Sequence, residues 1–448
     1  MNKNTPQAPL AIVILAAGKG TRMKSDKPKV MHELAGKPMI NWLIDACEGL
    51  RPDKIITVIG PDMPELAEAA SPHETAIQDI RNGTGGAVKA ALPALEGFEG
   101  NVLIVMGDEP LVDPEILRAL VSAGGLAVQG FETSNPKGLG RMVLNDDGSL
   151  KEIIEDADCT DTQKEIKLCN AGNYCVSADK LAGWLGQIDD NNAQGEYYLT
   201  DLPAIAAKEG VSTQVIAGAW EGAWGVNDRV QLAAHEKMLQ TRLRENAMRE
   251  GVSMVDPETV YFHHDTIIEG GVTIEPNVFL GAGVKIKTGA TIKAFCHIEN
   301  TEIKANAAVG PFARLRGGSS LGENVKIGNF VELKNAELAE GVKASHLAYL
   351  GDTKIGTGSN IGAGTITCNY NGFEKNRTEI GENVFIGSNS ALVAPITIAD
   401  GAMIAAGSTM TQDTPQDALG MTRADTEIKE GWAAKYRKLK SKAKASKG

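Results

Sequence analysis

Between residues 268 and 409 an aliphatic side chain returns at every sixth position. Ile268, Ile274, Leu280, Ile286, Ile292 and Ile298 form one run. After a step of five it resumes at Ile303, Val309, Leu315, Leu321, Ile327 and Leu333. Ile355 and Ile361 follow, then Ile380, Ile386, Leu392, Ile398 and Ile404. A period of six fits neither the 3.6 of a helix nor the 2 of a single strand. It predicts a parallel β-helix, each short strand placing one aliphatic residue in a shared core. Glycine recurs at the second hexad position (LGAGVK, LGENVK, IGTGSN), and Gly or Asn at the fourth. These residues suit close backbone approach and positive φ. One coil cannot bury its own apolar face, so the coils must stack into a rigid prism. Two stretches break the beat, 344–352 and 365–377, and such breaks are where a prism carries chemistry.

The amino-terminal half has a different grain. Residues 10–16 (LAIVILA), 55–59 (IITVI) and 102–106 (VLIVM) are all-apolar runs, with helical patterns at 38–50 and 85–95 between them. All-apolar strands belong in a sheet covered on both faces. The alternation predicts a Rossmann-like α/β domain with a parallel sheet, which binds ligands at the carboxyl ends of its strands. From 228 to 250 there is no Gly or Pro, and Leu232, Leu239, Leu243 and Ala247 recur at near-helical spacing. Asn227 or Asp228 can cap that helix and Gly251 can end it. At 1.5 Å per residue it spans about 35 Å, which predicts a rod between two separate active sites. The expected division is 1–227, a linker helix at 228–251, and 252–448.

Size and charge narrow the picture. A chain of 448 residues is too long for one core. The net charge is −12, and the last fourteen residues hold seven basic side chains, so removing them leaves −19 on the remainder. That balance argues against a nucleic-acid surface on the folded body. The tail itself reads as a solvated, partly disordered end. Six cysteines show no Cys-x-x-Cys pair and read as reduced, mostly buried thiols. The apolar run at 9–17 is short and Gly-Lys-Gly-Thr-Arg follows it directly, so a buried strand is expected there rather than a signal segment. No stretch approaches the ~20 apolar residues of a membrane span, and a cytoplasmic protein is expected.

The first strand runs into Leu15-Ala-Ala-Gly18-Lys-Gly-Thr-Arg22-Met, followed by KSDKPK ending at Lys29. Met23 stands where the dinucleotide fingerprint needs its third glycine, and the Walker spacing is absent. Small residues that admit a close ligand, with Lys19, Arg22 and Lys29 among them, point to phosphate. A solvated basic loop explains the cations but not the glycines packed with them. Asp108, in Met106-Gly-Asp, puts a carboxylate at the same sheet edge. The string LAAGKGTRM…KPK resembles the signature of the sugar nucleotidyltransferases. The resemblance implies that Leu15, Ala16, Ala17, Gly18, Arg22, Lys29, Met106 and Gly107 lie along UTP, and that Gln78, Gly83 and Thr84 face the uracil. Gly140, Glu155 and Asn170 would hold an N-acetylated sugar. Asp108 and Asn227 would hold Mg²⁺, an ion that keeps waters and fills its shell from phosphates. Met106 stands where the family has an aromatic residue.

The hexads resemble the left-handed β-helix of hexapeptide-repeat acyltransferases, which are homotrimers. In that family the residue matching His346 is the general base. Those matching Arg316, Lys334, Tyr349 and Asn360 hold a sugar phosphate, here glucosamine 1-phosphate. Ala363, Asn369, Tyr370, Ser388, Ala406 and Arg423 would line acetyl-CoA. Gly317 stands where the family has proline, and Cys368 reads as filler rather than a nucleophile. Over residues 10–432 the pieces are similar, in order, to the bifunctional bacterial enzymes that make UDP-N-acetylglucosamine for peptidoglycan and lipopolysaccharide. Acetyl transfer to the amino sugar would come first and uridyl transfer second. Two rival readings are a nucleotidyltransferase whose β-helix only oligomerises, and a non-catalytic assembly subunit. The phosphate loop with Asp108 and Asn227 speaks against the latter; His346 with Arg316 and Lys334 speaks against the former.

Overall fold

The structure is a computed structural model that describes residues 8–218 and 224–445. The chain divides into two compact units, Met1–Leu243 and Arg244–Gly448.

The first unit is built on a nine-stranded sheet. Its strands are β1 (Leu10–Leu15), β2 (Lys54–Ile59), β3 (Glu74–Ile77), β4 (Asn101–Met106), β5 (Leu126–Glu132), β6 (Arg141–Leu144), β7 (Leu150–Ile154), β8 (Leu168–Ser177) and β9 (Thr213–Ala217). They lie in the order β3-β2-β1-β4-β8-β5-β9-β7-β6. The first four are parallel, as the apolar runs predict. β8 then enters antiparallel between β4 and β5, and β6 and β7 close one edge as a hairpin. β1 shows why its sequence is apolar throughout. Ala11, Val13 and Leu15 enter the core on one face, and Leu10, Ile12 and Ile14 the core on the other. Burying one such aliphatic side chain stabilises the fold by roughly 1.5–3 kcal/mol.

A helix, α1 (Thr84–Ala91), starts at Gly83 beside the carboxyl ends of β1 and β2. A second, α2 (Arg229–Arg249), occupies the segment expected as a rod. It is not a bare spacer. Leu232, Met238, Leu239 and Leu243 pack with Leu34, Ala35, Met39, Leu111 and Val226 of the first unit. Its periodicity is visible in the chain, but several of its partners, Leu34, Ala35, Leu111 and Val226, lie in short segments that carry no periodic signal.

In the second unit each coil adds three short parallel strands. One inward column runs Ile274, Ile292, Val309, Ile327, Ala344, Ile361, Ile386 and Ile404. A second runs Phe262, Leu280, Ile298, Leu315, Leu333 and Leu350. The stretch 344–352 therefore does not interrupt the prism. Ala344 and Leu350 keep their columns, and the break seen in sequence comes from a step of five between Leu333 and Leu338 and from alanine at an inward site. The stretch 365–377 does leave the prism. Thr367 fills an inward position, fully buried, before the excursion, and Thr378 rejoins the ladder against Thr353.

The two kinds of hexad glycine do different work. A Cβ on Gly328 would run into the backbone of Ser345 in the next coil. Fourth-position residues instead take positive φ, as at Gly407 (+75°) and Asn324 (+59°). The basic tail departs from expectation. Residues Trp432–Ala445 form a helix, α3, with Trp432, Tyr436 and Leu439 exposed. Its run of Ala, Lys, Leu and Arg without Gly or Pro favours helix. Lys447 lies outside the described residues. All six cysteines are free thiols, five of them buried and Cys368 half-buried. Burial pushes the Cys175 thiol up to about 12. Among the described residues no helix is long and apolar enough to cross a membrane.

Gly328→Ala should destabilise the second unit by at least the ~1–3 kcal/mol of an overpacked site. Gly407→Ala has open space for its Cβ and should lose only the roughly 1–2 kcal/mol of left-handed strain. Denaturant unfolding of the two variants checks the order; equal losses would contradict the packing role of the second-position glycine.

Candidate active sites

The register of the first sheet places its site. Leu15 pairs with Met106, so the turns after β1 and β4 emerge side by side, with Gly107 N–H donating to the Leu15 carbonyl at 2.9 Å. Leu15, Ala16, Ala17, Gly18, Lys29, Gln78, Gly83, Thr84, Met106 and Asp108 line one cleft of about 250 Å³. The backbone of Ala17 is held by Arg81, whose Nε donates to its carbonyl at 2.6 Å. At the α1 end, Gln78 Nε2 donates to the Gly83 carbonyl at 3.1 Å, and the Thr84 hydroxyl accepts the Leu199 N–H at 3.0 Å.

Opposite these, oxygen and nitrogen side chains converge. Lys29 Nζ is paired with Asp108 Oδ2 and lies 3.2 Å from Asn227 Oδ1, to which Arg22 Nη2 also donates at 2.7 Å. The Val226 N–H donates to the Asp108 carbonyl at 2.9 Å, which ties the two oxygen-bearing segments together. Gly225 borders the Asp108 carboxylate so closely that a Cβ there would sit 2.8–2.9 Å from its atoms. Two hard oxygens thus face one positive centre. Among the described residues no cluster of three or more His, Cys, Asp or Glu marks a fuller metal cage. The donor set fits a hard divalent cation that completes its shell from water and phosphate.

Gly140, Glu155 and Asn170 lie against one another. A Cβ on Gly140 would touch Asn170 Cβ at 3.5 Å and Glu155 Oε2 at 3.7 Å, and Asn170 N–H donates to the Gly140 carbonyl at 2.9 Å. Burial raises the Glu155 carboxyl above its ordinary range, against a hydrogen bond from the Thr200 hydroxyl. Beneath the cleft, burial and then the Asp108 charge push Glu109 well above it too.

In the second unit the coil register aligns one corner. Asn329 pairs with His346, and the pairings Ala344–Ile361, Ile361–Ile386 and Ile386–Ile404 carry that column on to Ala363, Ser388 and Ala406. At about 4.8 Å per rung, His346 and Ala406 stand roughly 14 Å apart along the prism. Asn329 Oδ1 lies 2.7 Å from His346 Nδ1. An amide oxygen can only accept, so Nδ1 is the donor to Asn329, and in the neutral ring that tautomer leaves the lone pair on Nε2. Arg423 follows Thr422, whose hydroxyl accepts the Thr409 N–H at 2.7 Å, close beyond Ala406.

Arg316 and Lys334 occupy adjacent rungs of another face. Arg316 Nε donates to Glu332 Oε1 at 2.8 Å, and Glu332 pairs with Tyr349 one rung on. Asn369 is buried and donates to Asp352, whose other oxygen accepts from Asn335 at 2.8 Å. Asn369 therefore shares Asp352 with the cationic face, while Tyr370 is exposed on the excursion. Asn360 stands apart, in the outward column Lys343, Asn360, Phe385. Sequence reading missed Lys375. The excursion brings its ammonium against Lys334, and that contact and charge pull it below the ordinary lysine value. The Asp352 carboxylate lies within electrostatic reach of both ammoniums. It missed Asn329 and Glu332 as well, since only coil register reveals them.

Comparison with known proteins agrees with both units. A family profile for the MobA-like NTP transferase domain matches residues 12–139, and one for the bacterial transferase hexapeptide (six repeats) matches 377–412. The parallel coils are those of a left-handed β-helix. The chain is 45% identical to the "Bifunctional protein GlmU" of Zymomonas mobilis, over 98% of this chain and 100% of the relative. It is 45% identical to that of Paramagnetospirillum magneticum (98% and 99% covered) and 48% to that of Acidiphilium cryptum (96% and 99%).

Glu155 carries a pH prediction. Its folded value is raised, so the stability of its neutral form is complete below the ordinary carboxylate value and is lost as pH rises through the folded one. Glu155→Gln should therefore unfold at a higher temperature than wild type at pH 7, with the difference vanishing near pH ~4. An unchanged difference across that range would contradict the burial argument.

Proposed function

The chain belongs to the GlmU family of bifunctional proteins, and from that membership we propose how its residues divide one synthesis between two units. The protein is a two-activity transferase that makes UDP-N-acetylglucosamine, acetylating glucosamine 1-phosphate from acetyl-CoA and then transferring uridylate from UTP. The division at 1–227, 228–251 and 252–448 is the working boundary for the two activities.

In the second unit His346 is the general base. A sugar ammonium cannot attack a thioester until it loses a proton, and the free Nε2 of a His346 fixed by Asn329 takes it. The amine then attacks the acetyl carbonyl, and the tetrahedral oxyanion collapses with loss of coenzyme A thiolate. A backbone N–H in the column, at Ala363, meets the oxyanion. Arg316, Lys334, Tyr349 and Asn360 hold the sugar phosphate. Ala363, Ser388 and Ala406, with Asn369, Tyr370 and Arg423, line acetyl-CoA. The observation that carries this reading is the column itself. Small side chains at 363, 388 and 406 line a column that runs roughly 14 Å along the coils from the base. Asn360 lies off the Arg316–Lys334 face, and Phe295, Phe312 and Phe330 form an exposed stacked ridge beside the His346 corner. Both features support a homotrimer in which copies complete one another's sites.

In the first unit the sugar 1-phosphate attacks the α-phosphorus of UTP and expels pyrophosphate; no protein nucleophile is needed. Arg22 and Lys29 neutralise the phosphates, the backbone of residues 15–18 lies along them, and Gln78, Gly83 and Thr84 read the uracil. Gly140, Glu155 and Asn170 orient the sugar. Asp108 and Asn227 hold the divalent cation, Mg²⁺, which when bound offsets charge on the transferring phosphate. Lys29 must then exchange Asp108 for phosphate. The protein works on small molecules in the cytoplasm, and its UDP-N-acetylglucosamine feeds peptidoglycan and lipopolysaccharide synthesis.

Asp108→Ala should abolish uridyl transfer and leave acetyl transfer nearly intact; equal loss of both in a folded protein would refute two separate sites. His346→Ala should lower acetyl transfer by ~10²–10⁴-fold with uridyl transfer unchanged. Raising the pH should partly restore it, because more of the amine is then already free. A stable His346→Ala protein with near-normal acetylation at neutral pH would remove His346 from the mechanism.

A further inference from the structure

Three polar side chains are buried under the Asp108 turn, and none of the steps above uses them. Asn173 is 0% exposed, Glu109 and Gln129 each 2%. Asn173 Nδ2 donates to Glu109 Oε2 at 2.7 Å and to Gln129 Oε1 at 2.8 Å, and its Oδ1 accepts the Met106 N–H at 3.1 Å. Both amide hydrogens are therefore spent, and the oxygen holds backbone. Such a network forms only in one arrangement, since any lost bond leaves a buried polar group unpaired.

Its place in the fold gives it a use. Asn173 lies in a bulge of β8, where the pairing with β5 shifts between Asn170 and Tyr174. Gly172, at φ +96°, packs so tightly on the end of β4 that a Cβ would sit 2.6 Å from Met106 Cγ. The same bulge locks Asn170. Its Oδ1 accepts the Gly172 N–H and its Nδ2 donates to the Tyr174 hydroxyl, both at 3.0 Å. Asn173 thus grips residues 106 and 109, which bracket Asp108, from the irregularity that also presents Asn170.

We propose that Asn173 is a positioning residue for uridyl transfer, clamping the turn at 106–109 to the β8 bulge so that the Asp108 carboxylate and the Asn170 amide keep a fixed separation. This rests on the reading of Asp108 as a cation ligand and Asn170 as a sugar contact. The network touches neither substrate nor cation; it acts through the backbone on each side of Asp108. Groups that orient metal ligands typically change metal affinity or activity by ~10–100-fold when removed.

The test uses the full chain with Asn173→Ala and, should its first unit fail to fold, Asn173→Ser, which keeps a small polar group but cannot span Met106 and Glu109. Uridyl transfer, acetyl transfer, thermal unfolding and Mn²⁺ binding with UTP, read from the free-Mn²⁺ EPR signal, are measured together at 20 °C. The proposal expects kcat for uridyl transfer to fall by ~10–100-fold and Mn²⁺ half-saturation to rise by a similar order, with acetyl transfer unchanged. A filler role would lower only the unfolding temperature. Uridyl kcat and Mn²⁺ half-saturation both within twofold of wild type would overturn the proposal. Asp108→Ala runs beside it. If Asp108→Ala still binds Mn²⁺ like wild type, the cation-site reading fails and takes the proposal with it. If Asp108→Ala loses Mn²⁺ while the Asn173 variants keep both Mn²⁺ half-saturation and uridyl kcat within twofold, only the positioning role fails.

Discussion

Parallel pairing in register is the constraint on which both halves of this molecule depend. Parallel strands place equivalent residues side by side at a fixed spacing of about 4.8 Å, whatever lies between them in sequence. In the first unit that rule sets Leu15 beside Met106, so the glycine loop and the Asp108 turn open onto one edge. In the second it stacks Asn329, His346, Ala363, Ser388 and Ala406 into a corner column. The strand register sets the frame of each site, and irregular segments such as the excursion at 369–377 add to it. A one-residue slip in any coil would turn inward residues outward and remove His346 from its column.

Both sites also share an electrostatic habit. Cations meant for phosphate are held by protein oxygens: Lys29 by Asp108 and Asn227, Arg316 by Glu332. A partly buried ammonium or guanidinium left alone carries a large desolvation penalty, which such a partner offsets. Phosphate then replaces a carboxylate rather than filling an empty charged pocket, which fixes the cations' positions before substrate arrives. Lys334 and Lys375 are the exception. They face each other, and the Asp352 carboxylate beside both offsets part of that repulsion.

Much of this was legible in the chain because strong periodicity and short motifs are local signals. The hexads gave the inward columns, the all-apolar runs gave β1, β2 and β4, and LAAGKGTRM marked the phosphate edge. What stayed hidden is non-local. The step of five at Leu338 and the inward Ala344 made a regular coil look interrupted. Strand β8 mixes Asn, Gly and Cys with apolar residues, so neither its antiparallel entry nor the buried Asn173 network under Asp108 shows a pattern. Lys375 becomes visible only when the excursion folds back on Lys334. The α2 side chains have a helical beat, yet their partners at Leu34 and Leu111 lie in segments without one. The tail misled for the opposite reason, since its charge suggested disorder while its composition favours helix.

The central claim is that the two large substrates belong to different units, UTP to the first and acetyl-CoA to the second. Hydrogen–deuterium exchange on the full chain tests it most directly, with UTP and Mg²⁺ added in one experiment and acetyl-CoA in another. UTP should slow exchange at residues 15–29, 78–84 and 106–108 and leave the prism unchanged. Acetyl-CoA should slow it around 346, 363–370, 388 and 406 and leave the first unit unchanged. Protection by UTP at the prism corner, or by acetyl-CoA at the glycine loop, would contradict the account.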